Sequence, residues 1–402
     1  MVLEKFLKYV AFDTQSDPAS ESIPSTDKQK LLGQYLVDEL QAMGVENAHM
    51  DEYGYVYAHL KGNKPEAKTI GFLAHMDTSF DFSGENVKPR IIKDYDGLDI
   101  ELNPNLYTTV ETFPFLSELK GQTLVVTDGT TLLGADDKAG MAEIMTLVDY
   151  LMNNEVERGD ISICFTPDEE IGRGANMFNY KLFNAEFAYT LDGGPVGSIE
   201  YENFNAASAI VNITGKSIHP GDSKNKMINA IQVGMHYNFL LDQNATPEHT
   251  EGYEGFIHLH DMVGETASAK LEYIIRDHDA AAFAAKKAEM KRAADFINQS
   301  YNAEIIDLTI EDSYYNMANI INEQPYIIRL AEAAIQDAGL DPVSLPIRGG
   351  TDGARLTYEG LPTPNLGTGG YNYHGPHEFA VVEQMERSVE IMKNIVKRVG
   401  EA

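Results

Sequence analysis

Cysteine is almost missing: the chain of 402 residues has one, Cys164. No disulfide can form within it, which fits a reducing compartment and predicts a cytoplasmic protein. Basic residues are scarce too, with 31 Lys and Arg against 62 Asp and Glu, a formal net charge of −31. A surface that acidic repels a phosphate backbone, so the chain is not expected to bind nucleic acid. It suits the binding of cations, either metal ions or the ammonium group of a small substrate. No apolar run approaches the length of a membrane span. The opening "MVLEKFLKYV" lacks the apolar stretch of a secretory leader, and its Leu3, Phe6, Leu7 and Val10 are spaced like one face of a helix. Internal repeats and low-complexity tracts are absent, and no GxxxxGK[ST] phosphate loop occurs among the glycines of "GGTDG" and "GTGGY".

Hydrophobic residues make up 43% of the chain, enough for packed cores. The length exceeds what one ordinary core serves, so two domains are expected. The first half alternates strand-like and helix-like patterns. "TIGFLAH", "ISICFT" and "FAYTLDGG" read as buried strands, with Cys164 in the core. Between the first two, Met141, Ile144, Met145, Val148 and Met152 mark a helical face. From about residue 206 the order becomes strand (208–214), helix (227–241), strand (255–261), strand (269–276), helix (280–299), strand (304–311). That is the β-α-β-β-α-β unit of ferredoxin-like folds. A helix (324–338) and a C-terminal helix (383–398) then resume the α/β pattern. The expected fold is therefore α/β: a discontinuous catalytic domain (1–205 and 314–402) with a mixed sheet flanked by helices, and an inserted ferredoxin-like α+β domain (206–313). "EYENFN" and "DSYYNM" are the expected hinges.

Imidazoles and carboxylates collect at predicted strand and helix ends: "AHMD" at 74–77, "GADDKAG" at 134–140, "TPDEEIG" at 166–172, "TLDGG" at 190–194 and "YHGPHE" at 373–378. In an α/β sheet such tips gather at the carboxyl edge of the strands. Each alone has a plain structural reading. His75 and Asp77 are what a polar loop contains, an Asp before a helix is usually a cap, and adjacent glutamates are usually a solvated turn. Together they offer the nitrogen and oxygen donors of zinc or manganese, and the lack of cysteine disfavours a structural zinc cage. "FIHLHD" puts His258 and His260 on one strand face, but on the inserted domain with no matching partners they read as surface residues.

The ordered set His-x-Asp, Gly-Ala-Asp-x-Lys, Glu-Glu, Asp-Gly-Gly and a late His with Glu four residues on resembles the M20 family of co-catalytic metallopeptidases. The resemblance spans nearly the whole chain, including the inserted domain, which is a lid in that family. It implies two divalent metal ions, zinc first and cobalt or manganese as alternatives. The implied ligands are His75, Asp136, Glu170, Asp192 and His374, with Asp136 bridging. His377 is a rival to His374, but His374 has Glu378 at the family spacing. Asp77 would orient a ligand imidazole, Glu169 would be the general base, and Asp137, off the pattern, reads as a helix cap. His219 of the lid would stabilise the oxyanion, in the family often from a partner subunit, so a homodimer through the lid is implied. Arg276 would bind the substrate carboxylate, its plain alternative being a salt bridge with Asp277 or Asp279. Asn229 is a further substrate-contact candidate. In "RGGTDG", Arg348 and Asp352 are expected near the site with their roles open, Arg348 as another candidate substrate contact and either Asp352 or the metal-site carboxylates as the acidic surround for an α-ammonium group.

The chemistry supports such a division of labour. Peptide hydrolysis near neutral pH needs an activated water and a base, and two ions about 3.5–4 Å apart lower the water pKa. A carboxylate bound to metal cannot also be that base, so two adjacent glutamates are useful. "TPDEE", "ENFNAAS", "EGYEGF", "YIIRD", "IEDSYYNM", "PIRGGTDGA" and "GGYNYHG" resemble the branch of the family that removes the N-terminal residue from tripeptides. The alternatives are another M20 amidohydrolase (dipeptidase, carboxypeptidase or deacylase) or a metal-loaded peptide binder without turnover. The presence of Glu169 speaks against the last.

Overall fold

The computed structural model describes residues 1–401. The chain forms two compact units. The first comprises Met1–Tyr201, Met317–Leu345 and the chain from Thr351 on; the second is Glu202–Asn316 with Pro346–Gly350. Pro346–Gly350 therefore sits with the inserted unit, not with the outer domain where the sequence reading had it. Part of the reason is Arg348, whose Nη1 donates to the carbonyls of Gly252 (2.8 Å) and Glu254 (2.9 Å).

The first unit is built on an eight-stranded sheet. Its order is His49–Met50, Val56–Leu60, Ile161–Thr166, Ile70–His75, Phe187–Gly193, Asn365–Gly367, Ser198–Asn203, Val343–Ile347. Ile70–His75 runs parallel to both Ile161–Thr166 and Phe187–Gly193, whereas Val56–Leu60 is antiparallel, so the sheet is mixed as expected. Every residue of Ile70–His75 and Ile161–Thr166 is buried, the outcome for a continuous apolar run covered on both faces. The helix Ala135–Asn153 packs against two of these central strands. Gly140 allows it to come close: a Cβ there would lie 1.9 Å from the Leu191 carbonyl oxygen. Met141, Ile144, Met145 and Val148 are fully buried, but Met152, expected on the same face, is 38% exposed in the last turn. In the first helix, Val2–Tyr9, the buried face is Val2, Phe6 and Tyr9, with Leu3 and Leu7 only partly covered.

A second, small sheet joins Gly370–Tyr371, Phe379–Val381, Leu124–Val126 and Arg90–Ile92, beside the hairpin Ile100–Asn103/Leu106–Thr108. Its core is Tyr95, Leu116, Leu124, Val126 and Phe379.

The second unit has the expected β-α-β-β-α-β order. Its antiparallel sheet runs Phe256–Gly264, Ser268–Asp277, Asn205–Thr214, Ile306–Tyr314, and the helices Ala230–Phe239 and Ala280–Tyr301 pack on it. Val211, Leu271, Ile275, Met290 and Ile297 form its core. The first of these helices starts later than its apolar pattern suggests because Asn229 caps it: Oδ1 accepts from Ile231 N (3.1 Å) and Gln232 N (3.4 Å). His258 and His260 have ring centroids 6.3 Å apart, with a register shift between Leu259 and Asp261, and neither joins a metal-binding group of residues.

Candidate metal centre

His75 ends one central strand, Glu169 and Glu170 follow the next one after Thr166, and Asp192 lies near the end of the third. Asp136 heads the helix over them, and His374 lies in the turn before Phe379–Val381. The first unit thus brings these groups to the carboxyl edge of its sheet, where open α/β sheets hold their ligands. His75 Nε2 lies 2.7 Å from Asp136 Oδ1 and 3.4 Å from Asp192 Oδ1. His374 Nε2 lies 2.9 Å from Glu170 Oε2 and 3.4 Å from Asp136 Oδ2. Asp136 therefore shows one oxygen to each imidazole. His377 points elsewhere: its Nδ1 is 2.9 Å from Thr108 Oγ1, and Phe113 packs against its ring.

Around these groups, buried acceptors fix the backbone. Asp77, fully buried, accepts from Glu169 N (3.0 Å) and Glu170 N (3.1 Å), setting the turn that aims both glutamates. The resemblance implied that Asp77 orients a ligand imidazole. The closer partner of His75 Nδ1 is the Asp77 carbonyl, at 3.0 Å, with the carboxylate at 3.4 Å. Asp137 accepts from Gly140 N (3.2 Å), a cap, and also from His75 N (3.1 Å). Asp168, at φ 58°, accepts from Ser25 N (2.7 Å), Ser25 Oγ (2.5 Å) and Gln29 Nε2 (2.7 Å), tying the glutamate turn to the N-terminal segment. Glu378 accepts from Leu133 N (2.7 Å), Gly134 N (2.8 Å) and Asp136 N (3.0 Å). Sequence reasoning missed the clamps by Asp168 and Glu378; Glu378 carried a spacing signal, and Asp168 carried none beyond its place beside the glutamates.

The donor set fits divalent metal. His75, Asp136 and Glu170 form one group whose ligand atoms lie within 4.8 Å of one another, and His75, Asp137 and Asp192 form another. Glu170 Oε1 is buried with no hydrogen-bond partner. Burial pushes Asp192 up to about 6, and burial, then the Asp136 charge, pushes Glu170 up to about 8. Hydrogen bonds to Asp136 and Glu170 hold His374 up at about 11. A bound cation reverses each of these tendencies, because it stabilises carboxylates and neutral imidazoles. Burial, then Asp192, raises the pKa of Glu169 well above the usual range; among the described residues its carboxylate has no hydrogen-bond or ion-pair partner. Asp352 is buried, accepts from Thr166 Oγ1 at 2.9 Å, and is pushed by burial to about 7.

In the second unit, His219 is 79% exposed at its side chain, and its Nδ1 accepts from Gly221 N at 3.1 Å. Arg276 makes no salt bridge with Asp277 or Asp279, which are engaged by Lys286 (2.7 Å) and Ala282 N (2.7 Å). Its Nη1 donates to the carbonyls of Ala207 (3.2 Å) and Ile275 (3.0 Å), and its guanidinium lies 5.5 Å from the Tyr314 ring centroid. Arg348, expected to contact substrate, has both terminal nitrogens committed inside the unit, Nη2 donating to Thr250 Oγ1 at 3.0 Å.

Comparison with known proteins agrees with this architecture. The profile of peptidase family M20/M25/M40 matches residues 119–398, well over half the chain, although His75 and Asp77 lie before the match. Peptidase T of Clostridium acetobutylicum is 50% identical over 404 residues, covering 100% of this chain and 99% of the relative. Among solved structures, an aminopeptidase PepT from Bacillus cereus superposes with a TM-score of 0.78 at 22% identity, covering 99% of this chain and 98% of that one. A tripeptidase from Staphylococcus aureus does so with a TM-score of 0.78 at 22% identity, covering 100% and 98%. These structural likenesses bear on the fold, and the full-length sequence match carries further. With its histidines and carboxylates gathered at one sheet edge, the chain belongs to peptidase family M20/M25/M40.

Proposed function

We propose that this protein is a metal-dependent aminopeptidase that removes the N-terminal residue from tripeptides. The observation that carries this reading is Asp136, whose oxygens lie 2.7 Å from His75 and 3.4 Å from His374. The full-length likeness to Peptidase T supports the substrate class. The ligands are His75, Asp136, Glu170, Asp192 and His374, for two divalent ions, with zinc the first choice and cobalt or manganese alternatives. Bound there, the ions supply an activated water and polarise the scissile carbonyl.

The chain supplies the rest. Glu169, which is not in the ligand set, takes the proton of the attacking water and passes it to the leaving amine. Asp77 fixes the turn that carries Glu169 and Glu170 by accepting from both backbone N–H groups. On the second unit, His219 serves the developing oxyanion and Arg276 the substrate carboxylate, the fork of a guanidinium being well shaped for it. Asn229 is spent as a helix cap through its oxygen, so any contact with substrate falls to its amide nitrogen. Pairing of two copies through the second unit and a cytoplasmic location are part of the same proposal. Among the described residues no helix is long and apolar enough to cross a membrane.

Purified protein given zinc, cobalt or manganese and offered di-, tri- and tetrapeptides with N-acylated controls tests the reading. Tripeptides should be cleaved at the first bond, only with metal present. Preferential turnover of N-acyl substrates would identify a deacylase instead.

A further inference from the structure

We infer that Asp81 is a positioning residue for the metal site: it holds the His374 imidazole in the tautomer and orientation that a ligand needs. The inference rests on His374 being a ligand, as proposed above. His374 turns Nε2 toward Glu170 Oε2 at 2.9 Å and Asp136 Oδ2 at 3.4 Å, so Nε2 is the nitrogen that faces metal. A neutral imidazole that offers Nε2 to a cation carries its proton on Nδ1, and that proton needs an acceptor. Asp81 Oδ2 lies 3.3 Å from His374 Nδ1. No other acceptor approaches that nitrogen among the described residues.

The loop is built to keep the carboxylate there. Ser79 Oγ accepts from Asp81 N at 3.2 Å and donates to Asp81 Oδ2 at 3.2 Å. Gln15 Nε2 donates to the carbonyls of Ser79 (3.2 Å) and Phe82 (3.1 Å), pinning the backbone on both sides of Asp81. Thus "HMDTSFD" supplies one ligand, the brace of the glutamate turn, and the partner of the ligand on the far side of Asp136.

The two imidazoles are held differently. His75 is 2% exposed and its Nδ1 meets a backbone carbonyl that no side-chain substitution removes. His374 is 42% exposed and depends on a side chain that is itself 55% exposed. Water replaces Asp81 readily in a variant, but it neither fixes the ring nor raises its basicity. Loss of the carboxylate should therefore weaken one of the two ions and spare the other. Partners of this kind typically contribute 10–100-fold in metal affinity.

The test measures zinc binding by competition with a chromogenic chelator, in the parent, Asp81→Ala, Asp81→Asn and Asp81→Glu, with thermal melting alongside. Cobalt absorption reports ligand geometry independently of activity. The expected result is two ions in the parent, and in Asp81→Ala a loss of about 10–100-fold for one ion only. Asp81→Asn, which keeps an acceptor without charge, should fall between, and the cobalt band should change with an unaltered melting temperature. Asp81 lies in an exposed turn; if the alanine variant fails to fold, Asp81→Asn against Asp81→Glu carries the same comparison. Parent-like affinity for both ions, or equal weakening of both, overturns the role of Asp81. A parent that binds fewer than two ions overturns the two-metal reading itself, and this inference with it.

Discussion

Glu378 offers a sharp test of how the centre is held. It is 1% exposed, and its two oxygens receive three backbone N–H groups, from Leu133, Gly134 and Asp136. In Glu378→Ala these donors lose their acceptor in a place without ready access to water. A buried donor left unpaired costs about 1–3 kcal/mol. The three share one loop and relax together, so the full sum is an upper bound. Burial pushes the Glu378 carboxyl up to about 7, so removing it also recovers part of a desolvation cost. A net loss of about 2–5 kcal/mol follows, a large share of the 5–15 kcal/mol that holds most domains together. Glu378→Gln keeps one acceptor and turns a donor toward the remaining N–H, so about half that loss is expected. Urea unfolding at pH 8, with the parent carboxylate ionised, gives the midpoints. The order should be parent, then Gln, then Ala. Because Asp136 N is one of the three donors, zinc affinity should fall in the same order. An alanine variant with the parent's urea midpoint would refute the clamp, since those N–H groups would then have another acceptor.

Three further outcomes are expected. Glu169→Gln should keep both ions by elemental analysis while turnover falls by at least ~10²–10⁴-fold; near-normal activity removes Glu169 from the role of base. Arg276→Ala should cost tripeptides far more in kcat/KM than their C-terminal amides, and an equal fall for both would show that the guanidinium does not read the carboxylate. Glu143 lies fully buried outside the centre, bonded to Ser388 Oγ at 2.6 Å, and burial raises its pKa well above the usual value. A carboxyl raised in the folded state gives stability that is complete below its unfolded pKa of about 4.3 and is lost as pH rises through the folded value. Glu143→Gln, which does not titrate, should therefore gain on the parent in urea midpoint from pH 5 to 9; a constant difference would mean that Glu143 is ionised throughout.

The residues of the centre were readable where local signals and chemistry coincided. "GFLAH" and "ISICFT" are continuous apolar runs, which mark strands covered on both faces, and their polar ends had to emerge at the sheet edge. The strand and helix order of the second unit was equally plain, and its antiparallel strands show the two-residue burial repeat of a half-covered sheet. Other features had no local trace. The strands Arg90–Ile92, Leu106–Thr108, Leu124–Val126 and Phe379–Val381 have three residues each, too short for a period to show. Asp81 and Glu378 act on groups 293 and 242 residues away, respectively. Arg348 has the residue type of a carboxylate reader, yet its neighbours' carbonyls engage it, and only folding reveals those neighbours.

The order of the proposed ligands along the chain has a consequence for how the centre comes into being. His75, Asp136, Glu170 and Asp192 all precede Glu202, where the second unit begins, whereas His374 follows that unit. About 180 residues separate Asp192 from His374, which at roughly 5–20 residues per second takes on the order of 10–40 s to synthesise. For that interval the nascent chain carries Glu170 without His374, and Asp136 with His75 but without its second imidazole and without the clamp of Glu378. Of the proposed ligands, those on the His75 side have all been made by then, and those on the other side have not all been. On the proposed ligand set, a two-ion centre is therefore incomplete until His374 has been made. A chain cut after the second unit and before His374 should retain one ion at most; two ions held as tightly as in the whole protein would contradict that order of assembly.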